Sequence, residues 1–430
     1  INVLYDYIVS IGMKPLVELG FMPSVLARSR KPIFWWRGKV TPPGDYDKWS
    51  ALIQNLVRHF TERYGRDEVK TWHFEVWNDP NLKDGSRTGS RADYFKLYRY
   101  SAMAVKSVDK DYKVGCPATA GATRVRETTA FCSKNAVPID FISTHVYDVE
   151  QDFLDEYGST GTAPDKNPAS ISGHIINSRK QIQASAMPGL ALHYKERCIS
   201  STPPDPIHDS YHKAAFVLNK IKQTGGAANS MPYCTFTDIF DEAGPQLTPF
   251  HGGFGLMNTE GIKKPAYYAY TFLNKLGNTE LLNGDSSSWA CKNEKGDLQV
   301  LLWDYTYTLP DSVNNQSNYP SDLPAKSKGM VRILLSGIAE GKYRLELSQI
   351  GYKSNDVYST YLSIGKPNQL TRNQIKILKQ LNNGQPKEKK DVSIDRYGKF
   401  SIELQLREND VYLFNLIKET VKHQSLTYDS

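Results

Sequence analysis

Strand-like and helix-like segments alternate along the chain up to about Gly277, and this order constrains the fold more than any other feature. Six times, a short apolar run with β-strand character is followed by a longer run with apolar residues at helical spacing. Such alternation is typical of βα units around a parallel sheet. The predicted strands are 14–20, 71–78, 112–117, 140–147, 190–196 and 232–240, and the predicted helices are 47–64, 91–108, 126–135, 169–186, 208–223 and 265–276.

The number of units predicts an incomplete barrel. A (β/α)8 barrel contains eight strands, so the sequence predicts an α/β fold of the TIM-barrel type whose first two strands are missing from this chain. Residues 1–11 have apolar side chains at helical spacing and lead directly into the strand at 14–20. We therefore expect the natural chain to begin upstream of Ile1. The barrel wall beside the strand at 14–20 should then be open and should expose apolar side chains.

The pattern changes after Gly277 to short runs of alternating apolar and polar residues separated by polar turns. The runs are 298–303, 329–335, 341–348, 399–405 and 410–416. This pattern of alternating runs and polar turns is typical of antiparallel sheets packed as a β-sandwich. We therefore predict a catalytic barrel domain over residues 1–277 and a β-sandwich accessory domain over 278–430.

Composition narrows the classes of partner and cofactor. The net charge of +7 is small for 430 residues, and no basic stripe interleaved with aromatic residues predicts nucleic-acid binding. No apolar run is long enough to predict a membrane span. The five cysteines have neither the spacing of a zinc site nor an even number. The segment 252–255 lacks the strand-to-helix setting of a dinucleotide loop, so we expect neither a metal nor another cofactor.

Two acidic residues follow predicted strands at positions where barrel enzymes carry their chemistry. Asp79 ends the alternating run 74–79, directly before a proline, and Glu196 ends the run 190–196. A retaining glycosidase needs two such groups, because one protonates the leaving oxygen while the other attacks the anomeric carbon. Glu18 and Glu75 also lie on predicted strands, and we interpret Glu75 as a structural charge inside the barrel.

Several segments resemble one known family in order and spacing. They are 11–23 (IGMKPLVELGFMP), 77–82 (WNDPNL), 115–119 (GCPAT), 144–147 (THVY), 205–209 (DPIHD) and 252–256 (GGFGL). From Asn2 to about Tyr361 the chain is similar to glycoside hydrolase family 39, which contains β-xylosidases and α-L-iduronidases. The bacterial β-xylosidase branch fits better than the iduronidase branch. The resemblance implies a retaining exo-glycosidase that hydrolyses β-xylosides or xylo-oligosaccharides by double displacement.

The resemblance also implies roles for particular residues. Asp79 would be the general acid and base, and Glu196 the nucleophile. Asn78 would donate to the sugar 2-hydroxyl, and Tyr147, on the same strand face as His145, would hydrogen-bond the nucleophile. The alternative for His145 and Tyr147 is ordinary core packing. Asp241 and Glu242 would hold sugar hydroxyls, or else form an exposed acidic turn.

An aromatic run, Phe34 to Trp36, follows the strand at 14–20 and is suited to forming the wall of a pyranose subsite. We take Trp35 as the candidate substrate contact. A packed lid is the alternative.

Four departures from the family pattern bear on activity. The family's acid is Glu, whereas this chain has the shorter Asp79. The nucleophile is flanked by Lys195 and Arg197 where the family usually has Thr and Trp. Cys234 replaces a Trp that would form the floor of the sugar subsite, and Cys116 replaces a Gly.

These departures leave three functions open. The first is a retaining β-xylosidase with reduced activity or altered specificity. The second is a catalytically inactive protein of the same shape that binds sugar, a reading that Asp79, Arg197 and Cys234 favour. The third is an α-L-iduronidase-type enzyme, which would need Lys195 or Arg197 to face the uronate. In each case we expect a carbohydrate ligand and neither nucleic acid nor membrane as partner, with homo-oligomerisation left open. For the compartment we expect the bacterial cytoplasm or periplasm.

Overall fold

The computed structural model describes residues 1–29, 32–33, 35–81, 90–147, 153–154, 160–161, 165, 167, 169–200, 204–239, 244–306 and 313–419. Within these ranges the description does not extend to the side chains of Ile33, Phe153, Leu154, Thr160, Glu196 and Arg197. None of the described helices combines the length and the apolar character needed to cross a membrane.

The chain contains strands and helices in the following order. The strands are β1 (Leu16–Leu19), β2 (Pro32–Ile33), β3 (Gly38–Lys39), β4 (His73–Val76), β5 (Lys113–Thr119), β6 (Phe141–Tyr147), β7 (Phe153–Leu154), β8 (Thr160–Gly161), β9 (Ala191–Cys198), β10 (Thr279–Glu280), β11 (Ser288–Lys292), β12 (Leu298–Trp303), β13 (Ser327–Leu335), β14 (Gly341–Ile350), β15 (Glu388–Ile394), β16 (Phe400–Arg407) and β17 (Val411–Lys418). The α-helices are α1 (Asn2–Ser10), α2 (Tyr46–Tyr64), α3 (Arg66–Val69), α4 (Arg91–Val108), α5 (Val125–Lys134), α6 (Ser170–Gln183), α7 (His212–Thr224), α8 (Pro265–Leu273), α9 (Asn315–Asn318), α10 (Val357–Ser363) and α11 (Arg372–Leu381).

Five strands form one parallel sheet in the order β1-β4-β5-β6-β9, with helices α2, α4, α5 and α6 in the connections. The predicted α/β class is therefore confirmed, and the predicted strands and helices up to residue 196 are all present, with small shifts at their ends. Sequence signals explain the helix starts: Asp45 caps α2, and Ser90 and Asp93 form a capping box at α4. Closure into a barrel stays a prediction.

The predicted strand 232–240 is wrong as a continuous strand. Residues 231–239 contain only an isolated bridge, between Thr237 and Met257, while Ser230 forms a parallel bridge with His193 of β9. Two local features explain the interruption. Pro232 has no N–H to give to a ladder, and the Thr235 hydroxyl donates to the carbonyl of Thr237, 2.7 Å away, which stabilises a turn. The segment still begins beside β9.

Strand β1 lies at one end of the parallel sheet, and apolar side chains of the neighbouring helix α1 are exposed. Val3 is 85% exposed, Leu4 59% and Tyr7 64%. These side chains belong to α1, and an open barrel wall beside β1 stays a prediction. The same helix is tied to α2 by an ion pair between Asp6 and Arg63.

The antiparallel region lies after α8, as expected. One sheet has the order β10-β11-β12-β17-β14-β15, and a second consists of β13 and β16. The side chains of β12 alternate: Leu298, Val300 and Leu302 join a core with Ile333 and Leu404 of the second sheet, whereas Leu301 and Trp303 pack into a core shared with α7 and α8. Strand β12 therefore joins the antiparallel sheet to the helices of the preceding region. Several elements of this region were not predicted from the sequence: β10, β11, β15, α9, α10 and α11.

Candidate active site

The turn that follows β4 carries two of the predicted site residues, Asn78 and Asp79. Trp77 and Asp79 have φ values of +75° and +45°, in the left-handed region where Asp is tolerated better than most residues. The Asp79 N–H donates to the carbonyl of Ala118 at 2.8 Å, which ties the turn to the end of β5. Ala118 is itself an extra residue opposite β6, because Pro117 pairs with Ser143 and Thr119 with Thr144. This β-bulge provides the acceptor that holds Asp79.

Asn81 reinforces the same turn. Its side-chain amide donates to the carbonyl of Ala120 at 2.9 Å and accepts the N–H of Ala120 at 2.9 Å. The Tyr94 hydroxyl, buried under the turn, donates to the carbonyl of Pro117 at 2.8 Å. Asn81 therefore joins the turn to Ala120, and Tyr94 holds the neighbouring end of β5. In the sequence, Asn81 is visible only as part of the motif 77–82.

Asp79 is buried and lies against a buried histidine. Asp79 is 7% exposed and His145 is fully buried. Nδ1 of His145 lies 2.9 Å from Oδ1 of Asp79. Oδ1 is thus held on the protein side of the carboxyl group. The structure places His145 against Asp79, rather than on an open surface.

Strand β9 brings the second predicted residue to the same edge of the sheet. The backbone of Glu196 pairs with that of His145, the residue in contact with Asp79. Tyr147, half-buried, follows His145 by two residues and pairs with Cys198. The side chains of Glu196 and Arg197 lie outside the described part of the chain, so the separation of the two carboxyl groups stays a prediction.

Lys195, which the sequence suggested as a cation beside the nucleophile, joins a cluster with two glutamates. Its Nζ donates to a carboxylate oxygen of Glu18 and, at 3.0 Å, to Oδ1 of Asn78. Nζ also lies 2.9 Å from Oε2 of fully buried Glu75. This contact is an ion pair whose geometry is not that of a hydrogen bond.

A sequence signal for this cluster exists. Glu18 and Glu75 are paired neighbours on strands β1 and β4, so their like charges lie side by side. Such a pair requires a nearby cation. The connection of the two glutamates to Lys195 was not predicted from the sequence.

Aromatic residues form a continuous series next to the turn. The ring centroid of Phe21 lies 5.0 Å from that of Trp36 and 6.1 Å from that of Trp77. Trp36 is 42% exposed and Trp35 60% exposed, and the indole of Trp35 covers Gly244. Both indoles therefore reach the surface. Phe34, Asp241 and Glu242 lie outside the described residues.

A buried ionic network supports the segment 252–255. Nζ of Lys264 lies 2.5 Å from Asp209 and 2.6 Å from Asp238, and all three side chains are buried. The two carboxylates accept the N–H groups of Gly252 and Gly255, each at 2.7 Å. Burial raises the pKa of Asp209, and the positive charge of Lys264 opposes that shift. The sequence did not predict this network.

The glycines of this segment have a steric role. A Cβ at Gly252 would lie 2.4 Å from the backbone of Asp205, and one at Gly253 would lie 2.5 Å from Asp238. The segment therefore packs closely on its neighbours, as glycine permits. Half-buried Cys234, the predicted subsite position, lies nearby, and its carbonyl accepts from the Cys198 thiol at 3.2 Å.

Comparisons with known proteins agree with the resemblance found in the sequence. A family model described as glycosyl hydrolases family 39 matches residues 1–401. A β-xylosidase from Caldicellulosiruptor saccharolyticus is 37% identical over 383 residues, which cover 88% of this chain and 75% of that protein. A β-xylosidase from Geobacillus stearothermophilus is 38% identical over 309 residues, 70% of this chain and 60% of that protein. The match to the second relative thus spans less than two thirds of its length.

Solved structures give the same result. A GH39 enzyme from Xanthomonas axonopodis pv. citri superposes with a TM-score of 0.93 at 40% identity, covering 97% of this chain and 82% of that one. A monomeric β-xylosidase from Caulobacter crescentus CB15 also gives 0.93, at 37% identity, covering 97% and 84%. With the family model spanning nearly the whole chain, the protein belongs to glycosyl hydrolase family 39.

Proposed function

We propose that this glycoside hydrolase is a retaining exo-β-xylosidase, with Asp79 as acid and base and Glu196 as nucleophile. The observation that carries the proposal is the position of Asp79: buried at the carboxyl end of β4, it contacts His145, whose backbone pairs with Glu196. The relatives named as β-xylosidases support xylose as the sugar. A carbohydrate is therefore the proposed substrate.

The proposed reaction has two steps. Asp79 gives its proton to the glycosidic oxygen while Glu196 attacks the anomeric carbon, which breaks the bond and forms a xylosyl-enzyme ester. Asp79, now ionised, then takes a proton from water, which attacks the same carbon and releases xylose with its original β-configuration. For this mechanism the carboxyl groups should lie about 5 to 5.5 Å apart.

His145 and the bulge at Ala118 position the acid. His145 occupies Oδ1 of Asp79, so Oδ2 is the oxygen we assign to the leaving group. We also assign hydrogen bonds from Asn78 to the 2-hydroxyl and from Tyr147 to Glu196. Trp35 is the proposed subsite wall.

We assign Asp241 and Glu242 to sugar hydroxyls. A closed barrel over residues 1–277 and a β-sandwich over 278–430 are the architecture that we propose to carry this site. The parallel sheet and the shared core of the two antiparallel sheets support it.

Two alternatives have different support. An iduronidase-type activity would need a cation for the uronate, but the ammonium of Lys195 already contacts Glu18, Glu75 and Asn78. That engagement disfavours this function. An inactive sugar-binding protein is favoured by the short reach of Asp79, whose side chain is 10% exposed.

The test is hydrolysis of an aryl β-xyloside by the wild type and by Glu196→Ala. Without added azide, the variant should release no nitrophenol from a nitrophenyl β-xyloside. With azide it should form an α-xylosyl azide, because the small anion enters the space that the carboxylate occupied. Glu294→Ala, at an exposed position, is the matched control. Unchanged turnover by Glu196→Ala would remove this residue from the mechanism. A wild type that binds xylose but hydrolyses no aryl xyloside would favour the inactive alternative.

A further inference from the structure

Lys195 occupies an unusual position on β9. Tyr194 pairs with Thr144 of β6 and Glu196 pairs with His145, so Lys195 is the extra residue of a β-bulge one position before the proposed nucleophile. Bulges near active sites commonly redirect a side chain. Here the side chain of Lys195, 17% exposed, reaches the carboxylates of β1 and β4 and the amide of Asn78.

The contact with Asn78 determines the orientation of that amide. An ammonium group has three N–H donors and no acceptor. The Asn78 atom that lies 3.0 Å from Nζ must therefore be the oxygen, and Nδ2 is the other end of the same planar amide group, directed away from Nζ. An asparagine without such a partner can exchange its two ends, because they have nearly the same shape.

The glutamates hold the lysine in place. The ammonium lies between the carboxylates of Glu18 and Glu75, and Glu75 is fully buried. Moving Nζ away from this position would leave a buried carboxylate uncompensated, which is costly. The hydrogen bond to Asn78 is charge-assisted and therefore stronger than a neutral one. It also polarises the amide, which makes Nδ2 a better donor.

From these contacts we infer that Lys195 is a positioning residue, which fixes the amide of Asn78 so that Nδ2 donates to the 2-hydroxyl of the sugar in the reacting subsite. The inference rests on the proposed function, and it assigns Lys195 a part in recognising that hydroxyl. Because the contact to the 2-hydroxyl strengthens in the transition state, loss of the orientation lowers kcat more than it raises KM.

The experiment compares an aryl β-xyloside with its 2-deoxy analogue. Lys195→Met keeps the length of the side chain and removes its charge. A misoriented donor at the reacting sugar should lower kcat/KM on the xyloside by roughly 100-fold. The 2-deoxy analogue has no hydroxyl to contact, so its turnover should change little.

Because Lys195→Met leaves Glu75 buried without its cation, a second pair of variants protects the test against a folding defect. Lys195→Met/Glu75→Gln is compared with Glu75→Gln, and the same selective loss is expected. In an Asn78→Ala background, Lys195→Met should cause no further selective loss, because the lysine acts through Asn78.

Equal losses on both substrates in both pairs, or no loss, would overturn the inference while leaving β-xylosidase activity standing. A wild type inactive on the xyloside would overturn the proposed function and this inference together.

Discussion

Asp79→Glu tests whether the length of the acid limits this enzyme. The added methylene lengthens the side chain by about 1.5 Å. The Asp79 N–H is held at 2.8 Å by Ala118, and fully buried His145 blocks one side of the carboxyl group. The additional length should therefore move the carboxyl group toward the open side, where we place the leaving group.

The expected gain depends on the leaving group. A displacement of about 1 Å changes rates on the order of 100-fold, so Asp79→Glu should raise kcat/KM on xylobiose by roughly one to two powers of ten. An aryl xyloside with an activated leaving group needs little protonation, so the wild type should already cleave it much faster than xylobiose. The substitution should also have a cost. At φ +45° a Glu is less tolerated than an Asp, and we expect the free energy of unfolding to fall by about 1 kcal/mol.

The assay is steady-state hydrolysis of both substrates by both proteins, with urea unfolding for stability. Asp79→Asn serves as the control that keeps the shape and removes the acid. A wild type that is already fast on xylobiose would show that the backbone places the shorter acid correctly, and the reasoning would be wrong. Negligible rates for both proteins on both substrates would support the inactive alternative, with Arg197 and Cys234 the next positions to change.

Two further predictions concern the aromatic wall and the pH dependence of stability. A Cβ at Gly38 would lie 2.3 Å from the indole of Trp36, so Gly38→Ala should displace that ring and raise KM for aryl xylosides. Gly173→Ala, where a Cβ meets no atom within 4 Å, should not. Burial raises the pKa of Asp356 from 3.8 to about 6 in the folded protein. The folded state thus binds this proton more tightly, so its contribution to stability is complete below pH 4 and is lost as the pH rises through 6, by up to about 3 kcal/mol. Asp356→Asn should remove that loss in urea unfolding measured from pH 4 to 6.5, and an unchanged pH profile would contradict the assignment.

Most of the parallel region could be predicted from sequence because its signals are local. Buried strands and amphipathic helices leave periodic apolar patterns, and the predicted helix at 91–108 has the bounds observed for α4. The strand at 232–240 failed because its apolar content outweighed Pro232, which prevents continuous pairing. The helices α10 and α11 lie between residues 349 and 398, where no element was predicted from the sequence.

The candidate site was predictable to the level of residues but not of contacts. The motif around Asp79 and the strand end at Glu196 are visible in sequence, and the structure places their backbones at one edge of the sheet. The contact between Asp79 and His145 joins the turn after β4 to strand β6, and its existence depends on how the strands of the sheet are aligned. No local pattern specifies that alignment.

Two β-bulges explain why the directions of side chains at the site could not be predicted from strand alternation. In a regular strand, odd and even positions face opposite sides, but Ala118 on β5 and Lys195 on β9 are both extra residues opposite the same short stretch of β6. The first supplies the carbonyl that holds Asp79, and the second directs a lysine to Asn78, one residue before it. Regular alternation would place Lys195 and Glu196 on opposite faces of β9. The structure places the charge of Lys195 between two glutamates of neighbouring strands, where it can act on the amide that we assign to the sugar.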